Sequence, residues 1–356
     1  MPRNLRLIAA GASAIALSVS VAQAQDASQS GYGTMVVGGI EISVGAGVAT
    51  LDLPDVRFGV LAQNSSLRAV RTFPNDNNFD HEWGPTITAG VVMPWSGPTA
   101  LAVTGFFTNI DNEHTINCSS TNTAGCATVD PTGSRIDFAT DITEKASRDV
   151  DNWGVQLEGR YYLDRPLVAP RFLRSTYLGA GGDIRAILQD LTINNTTPQF
   201  PGALIKYDES LDTRYYGGYV AIGGDYSIFP GLDSGWGISS SFKAHVGLYS
   251  AQTDYDGSYK ALFVNAPPSI TRLSKSDDQA TVIAGLSFET RKQFGPRVSL
   301  SLLSEYEWYS SVPRMHYAQG LGGVTTIDDD SALATRTTLR LNIGLGPAPL
   351  YEAPLK

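Results

Sequence analysis

The stretch NWGVQLEGRYYL, residues 152–163, decides how this chain folds. Trp153, Val155, Leu157, Gly159, Tyr161 and Leu163 alternate there with Asn152, Gly154, Gln156, Glu158, Arg160 and Tyr162. Successive side chains on a strand point to opposite faces, so this spacing gives one apolar and aromatic face and one charged face.

The pattern recurs around residues 40–48, 83–95, 101–107, 176–185, 216–226, 238–248, 281–291, 298–308 and 333–345, ten segments in all. A soluble β-sandwich shares such alternation, so other features must separate it from a membrane barrel. Length is the first: the segments run about ten residues, which suits a strand tilted across a bilayer, whereas globular strands average five or six. Connection length is the second. The connections 96–98, 164–172, 229–235 and 292–297 are short, while 52–81, 109–149, 187–212, 250–278 and 310–330 are long. Outer-membrane barrels pair short periplasmic turns with longer outer loops, and this alternation leaves both ends of the barrel on the short-turn side. The third feature is an aromatic girdle of Trp83, Trp95, Trp153, Tyr161, Tyr216, Tyr226, Trp236 and Trp308. On a strand tilted by about 40°, Trp153 and Tyr161 are separated by roughly 20 Å of depth, close to the apolar band of about 25 Å.

The expected fold is therefore all-β: a transmembrane antiparallel up-and-down barrel of about ten strands, or twelve if Val56 to Leu61 and Leu67 to Phe73 add a pair. Composition agrees, with 36 glycines, 16 tyrosines and only 17% charged residues. Residues 1–24 read as a cleaved signal peptide: Arg3 and Arg6, the apolar run Leu7 to Val19, then Ala22-Gln23-Ala24. A short periplasmic segment spans 25–34, the barrel 35–345, and a Pro-containing periplasmic tail 346–356. Cys118 and Cys126, in an exported chain, are expected to close a loop as a disulfide.

Charge divides by region. Without Arg3 and Arg6, 24 basic residues face 35 acidic ones, and the resulting −11 lies entirely in the five long stretches, including the run Asp328 to Asp330. Acidic residues there suit divalent cations among the lipopolysaccharide and outer-membrane lipid expected as surroundings. The polar faces of the strands hold Glu41, Glu158, Asp183, Asp225, Glu289, Glu305 and Glu307 against Arg160, Arg185, Lys243, Arg291, Arg336 and Arg340, with His245 beside them. So many charges cannot line a dry core unless paired, so they are expected to line the lumen. They would form either an ion-pair plug or opposing arcs along a narrow pore. No cofactor, metal or nucleic acid is implied.

Catalysis is not expected. A rim protease resembling the ten-stranded omptins would need paired aspartates facing an Asp/His couple. The nearest candidates, Asp80-His81 and Glu113-His114, are chain neighbours that point to opposite faces of a strand. His316 has no such neighbour, and no nucleophile-elbow, Walker or HExxH pattern is present.

Taken together, residues 35–345 resemble the outer-membrane barrels of Gram-negative bacteria. Gly217 to Ile228 and Gly235 to Tyr249 look like strand pairs of pore-forming major outer-membrane proteins. That resemblance implies a porin-like barrel for passive passage of small solutes or ions. The alternative is a non-conducting surface barrel whose long acidic loops mediate adhesion or envelope interactions. The chain departs from those families after its last segment, where Gly346 to Lys356 follow instead of a terminal aromatic.

Overall fold

The computed structural model describes residues 39–53, 60–62, 70–72, 82–118, 126–129, 135–138, 141–163, 175–197, 200–226, 238–262, 267, 269–295, 297–316 and 326–346. The signal peptide, the 25–34 segment, His81, Trp236 and residues 347–356 lie outside them, as do the side chains of Cys118, Cys126, His114 and His316.

The strands are β1 (Ile40–Asp52), β2 (Val60–Ala62), β3 (Val70–Thr72), β4 (Glu82–Pro94), β5 (Thr99–Cys118), β6 (Cys126–Val129), β7 (Arg135–Phe138), β8 (Ile142–Tyr162), β9 (Tyr177–Thr197), β10 (Phe200–Tyr226), β11 (Ile238–Leu262), β12 (Ser269–Gln293), β13 (Val298–His316) and β14 (Thr326–Leu345). Ten of them close a barrel in the order β1-β14-β13-β12-β11-β10-β9-β8-β5-β4. Every pairing is antiparallel, and Ile40 opposite Leu345 closes the ring at the short-turn end. Closure leaves no lipid-facing edge, which a sheet in hydrocarbon cannot tolerate. The pair once open to assignment as strands eleven and twelve forms its own two-stranded sheet, β2 with β3, and β6 pairs with β7 likewise.

The exterior carries the apolar belt. Val155, Leu157, Val220, Leu248, Leu302 and Leu339 are all exposed. Trp83, Trp95, Tyr161, Tyr216 and Trp308 are exposed as well, while Trp153 and Tyr226 are half-buried. A soluble protein exposes no continuous band of this kind.

The five long connections need correction. The stretch 187–212 is almost wholly strand, belonging to β9 and β10, and much of 109–149 and 250–278 is strand as well. β10 runs 27 residues, and β11 and β12 run 25 each. At about 3.3 Å per residue and a tilt of about 40°, the longest strands rise roughly 60 Å, of which a bilayer takes about 25 Å. The wall therefore projects well beyond the membrane.

A change of polarity marks where it emerges. In the lower part of β11, Ala244, Val246 and Leu248 face lipid, while Lys243 and His245 face in. Above Leu248 the faces exchange character: Tyr249, Ala251, Tyr255 and Tyr259 are buried inside, and Ser250, Gln252, Asp254 and Asp256 are exposed. β10 switches between Tyr215, buried, and Tyr216, exposed. β9 switches between Ile184, exposed, and Ile187, buried. The acidity assigned to loops thus sits partly on the outer face of a projecting strand wall.

One seam of this wall opens. β12 pairs with β13 only from Ile283 opposite Tyr309 downward. Above that level β13 stays with β14, after a register shift between Tyr309 and Val312. Pro313, which has no N–H to offer a ladder, follows the shift. Residues 269–282 of β12 then keep a backbone ladder with β11 alone among the described residues, while the Val282 N–H donates to the Ser310 hydroxyl at 2.9 Å and the Gln279 amide donates to Asp329 of β14 at 2.6 Å.

Candidate functional site

The inward side chains stack in layers. Nearest the short-turn end, Arg291 of β12 donates from both terminal nitrogens to both oxygens of Glu41 on β1, at 2.7 and 2.8 Å. Glu289 lies 3.3 Å from the same guanidinium. Arg340 donates from Nε to the Thr88 hydroxyl instead of to an acid. Asp225 accepts from the Ser175 hydroxyl at 2.7 Å, at the rim.

Higher up, Glu158 of β8 receives Arg160 and Lys243, each at 2.6 Å, and the Tyr219 hydroxyl at 3.0 Å. Lys243 also sits over the Tyr219 ring. Gly181 makes room for that tyrosine, because a Cβ there would lie 2.9 Å from its hydroxyl and 2.2 Å from the Leu157 carbonyl oxygen.

The next layer spans the lumen. Arg185 of β9 is bound to Asp183 on its own strand, to Glu307 of β13 at 2.8 Å, and to the Tyr309 hydroxyl at 3.2 Å. Glu307 also takes Arg336 of β14 at 2.7 Å, and Arg336 reaches Glu305 at 3.2 Å. The Arg336 guanidinium lies 3.7 Å from the ring centre of Phe106. Tyr249 donates to Asp183 at 3.1 Å. His245 stands 3.8 Å from Glu307, too far for a hydrogen bond, with its ring against Tyr219.

The sequence pattern names the charges of this network and puts Tyr219 on the same face as Asp225, but it does not single out Phe106, Tyr249 or Tyr309, which help tie the charges together. Their signal was parity. Tyr249 and Tyr309 share the odd-numbered face with His245 and Glu307.

Above the charges an apolar level closes the barrel. One inward residue from each wall strand takes part: Leu51, Thr86, Ile110, Val150, Ile187, Tyr215, Ala251, Ile283, Tyr309 and Ala334. None is more than 2% exposed. Most belong to one packed cluster, joined by Val312 from beyond the register shift. A water-wide channel beside any of them would expose it. A second cluster fills the projecting part, built from Leu191, Ile193, Tyr207, Leu211, Tyr255 and Tyr259, with Leu273 and Ile327 packed against it.

No protein-family model matches the chain, and no curated protein does. Among solved structures it is similar to the outer membrane protease OmpT from Escherichia coli, at 8% identity and a TM-score of 0.41, covering 86% of this chain and 97% of that one. It is also similar to the translocator domain of the autotransporter NalP from Neisseria meningitidis, at 9% identity and a TM-score of 0.38, covering 88% and 90%. The outer membrane protein AlkL matches at 12% identity and a TM-score of 0.27, covering 94% and 100%. Scores this low carry no argument, and the fold rests on the strand pairing itself.

Proposed function

We propose that this chain is an outer-membrane β-barrel closed in its resting state, which holds a projecting β-wall at the cell surface for interaction with an envelope or host partner. The observation that carries this reading is the closed level at Arg185 and directly above it. There every wall strand contributes an inward residue with almost no solvent exposure. Arg185 itself is fully buried and bound across the lumen to Glu307.

A porin-like passage of small solutes or ions is the alternative, and it draws on the same charged interior. It needs an aqueous path past Arg185, Tyr309 and Ile283, and their packing favours the closed reading. A ten-stranded barrel is also near the size that side chains alone can fill.

The outer face supports a surface role in lipopolysaccharide. Asp111 stands opposite Asp149 on the outward face just above the belt, whereas Arg214 lies 3.9 Å from both Asp212 and Asp254 and compensates that pair. Like charges facing across strands are unfavourable unless counterions screen them, and divalent cations among phosphate headgroups supply that screening. No enzymatic step belongs to this reading. Liposomes carrying the purified protein test it: swelling in isotonic small sugars no faster than in protein-free vesicles is expected, and size-dependent swelling would favour the porin instead.

A further inference from the structure

The seam leaves the upper half of β12 with one free edge, and the direction of that edge follows from a single hydrogen bond. The Val282 N–H points toward β13, where it meets the Ser310 hydroxyl in place of a ladder carbonyl. Backbone N–H and C=O groups of an antiparallel strand turn to the same side at every second residue. Ile270, Arg272, Ser274, Ser276, Asp278 and Ala280 therefore turn both groups to the seam, while the odd-numbered residues serve the ladder with β11. This edge is longer than a whole strand of an average globular sheet.

There is room beside it. On β11 the Tyr255 phenol lies back over Gly257, where a Cβ would stand 2.2 Å from its hydroxyl, and Thr253, Tyr255 and Tyr259 are buried. The residues opposite them on the inner face of β12 are not: Thr271, Leu273 and Lys275 are half-exposed, and Asp277 is exposed. Natural edges are guarded by prolines and by charges on the inner face. Pro313 guards β13, and Lys275 and Asp277 guard β12 against a wholly apolar strand without removing any of its backbone groups.

The side chains along the edge differ from one end to the other. Nearest the membrane, Asp277 points inward and Asp278 outward, with Asp329 of β14 drawn close through Gln279. At the far end Leu273 points inward beside Ile327 of β14, and Ile270 points outward, 56% exposed although it stands far above the belt marked on the same strand by Leu286 and Phe288.

We infer that the free edge of β12 is a docking site for an extended peptide strand of a partner protein, basic at the end nearest the membrane and apolar beyond. Backbone hydrogen bonds supply affinity in such strand addition, and the alternating side chains supply selectivity. The inference rests on the surface role proposed above and names where a partner seats. Vesicle swelling reads the lumen and peptide binding reads the edge, so the two can fail separately.

Fluorescence anisotropy of the labelled synthetic peptide TTKRTYTVEIV, titrated with the detergent-solubilised full chain, tests the site. Laid antiparallel with its tyrosine opposite Lys275, the peptide puts its lysine and arginine opposite Asp278 and Asp277, its first valine opposite Leu273 and its last opposite Ile270. Saturable binding is expected. N-methylation of the two threonines beside the tyrosine, whose N–H groups face β12, should weaken it at least tenfold; N-methylation of the tyrosine and the following valine should change it less than threefold. Ser276→Pro removes an N–H that the β11 ladder does not use, so it should abolish binding while the melting temperature stays that of the parent. Asp277→Lys with Asp278→Lys keeps the backbone and should weaken binding at least tenfold, and a peptide carrying glutamates in place of its lysine and arginine should recover it. Absence of saturable binding, or equal effects of the two N-methylations, overturns the assignment. So does a purified barrel that sediments as a dimer which Ser276→Pro dissolves, because a second copy then holds the edge.

Discussion

Arg185 on β9 and Glu307 on β13 meet across the lumen at 2.8 Å, with the guanidinium wholly buried and the carboxylate nearly so. Three strands separate them on the shorter way around the wall and five on the other, so their contact bridges the interior instead of decorating one side. Removing one partner of a buried pair strands the other charge and costs about 3–5 kcal/mol. Arg185→Ala is therefore expected to lower the temperature at which the folded barrel is lost in a detergent melting experiment. Because Arg336 also contacts Glu307, adding Glu307→Leu to Arg185→Met should recover part of that loss.

The placement of the belt gives a paired test. Val220 faces lipid on β10 between Tyr216 and Tyr226, whereas Gln252 faces outward on β11 above the polarity switch. An arginine on the lipid face near mid-depth costs about 2–4 kcal/mol. Val220→Arg should reduce folding into lipid vesicles by that amount, while Gln252→Arg should leave it nearly unchanged, as read by urea-dependent folding.

Asp149 supplies a pH test outside the membrane, four residues above Trp153. Burial raises its carboxyl, and Asp151 and Asp111 push in the same direction against the hydrogen bond from Asn109. A carboxyl whose folded value is raised takes up protons more readily when folded, so it weakens the fold once the pH exceeds the unfolded value and ceases to do so below it. Asp149→Asn should then melt slightly above the parent at pH 7, and the difference should vanish below about pH 4. A difference that grew on acidification would reverse this sign.

Much of the fold was legible from alternation. The lower strands read correctly because their apolar face meets lipid and their charged face meets the lumen, as in Val155 and Leu157 against Glu158. The upper strands were read as loops because the faces exchange character: in β9 the apolar positions move from Leu178 and Ile184 to Ile187, Leu191 and Ile193. A pattern search that holds its phase ends the strand at that switch. The lumen charges could be named in the same way, since Arg185 and Glu307 carry the parity of the inner face. Which acid meets which base could not be named, because that depends on the stagger of strands far apart in the chain. The open seam at Pro313 and the phenol laid over Gly257 likewise depend on pairing that no local pattern records.

Closure of the lumen is the centre of this account, and single-channel recording of the purified barrel in a planar bilayer measures it directly. With Arg185, Tyr309 and Ile283 packed as they are, insertion should leave the membrane without steady conductance steps in molar potassium chloride. Uniform, ohmic steps that scale with salt concentration would contradict it.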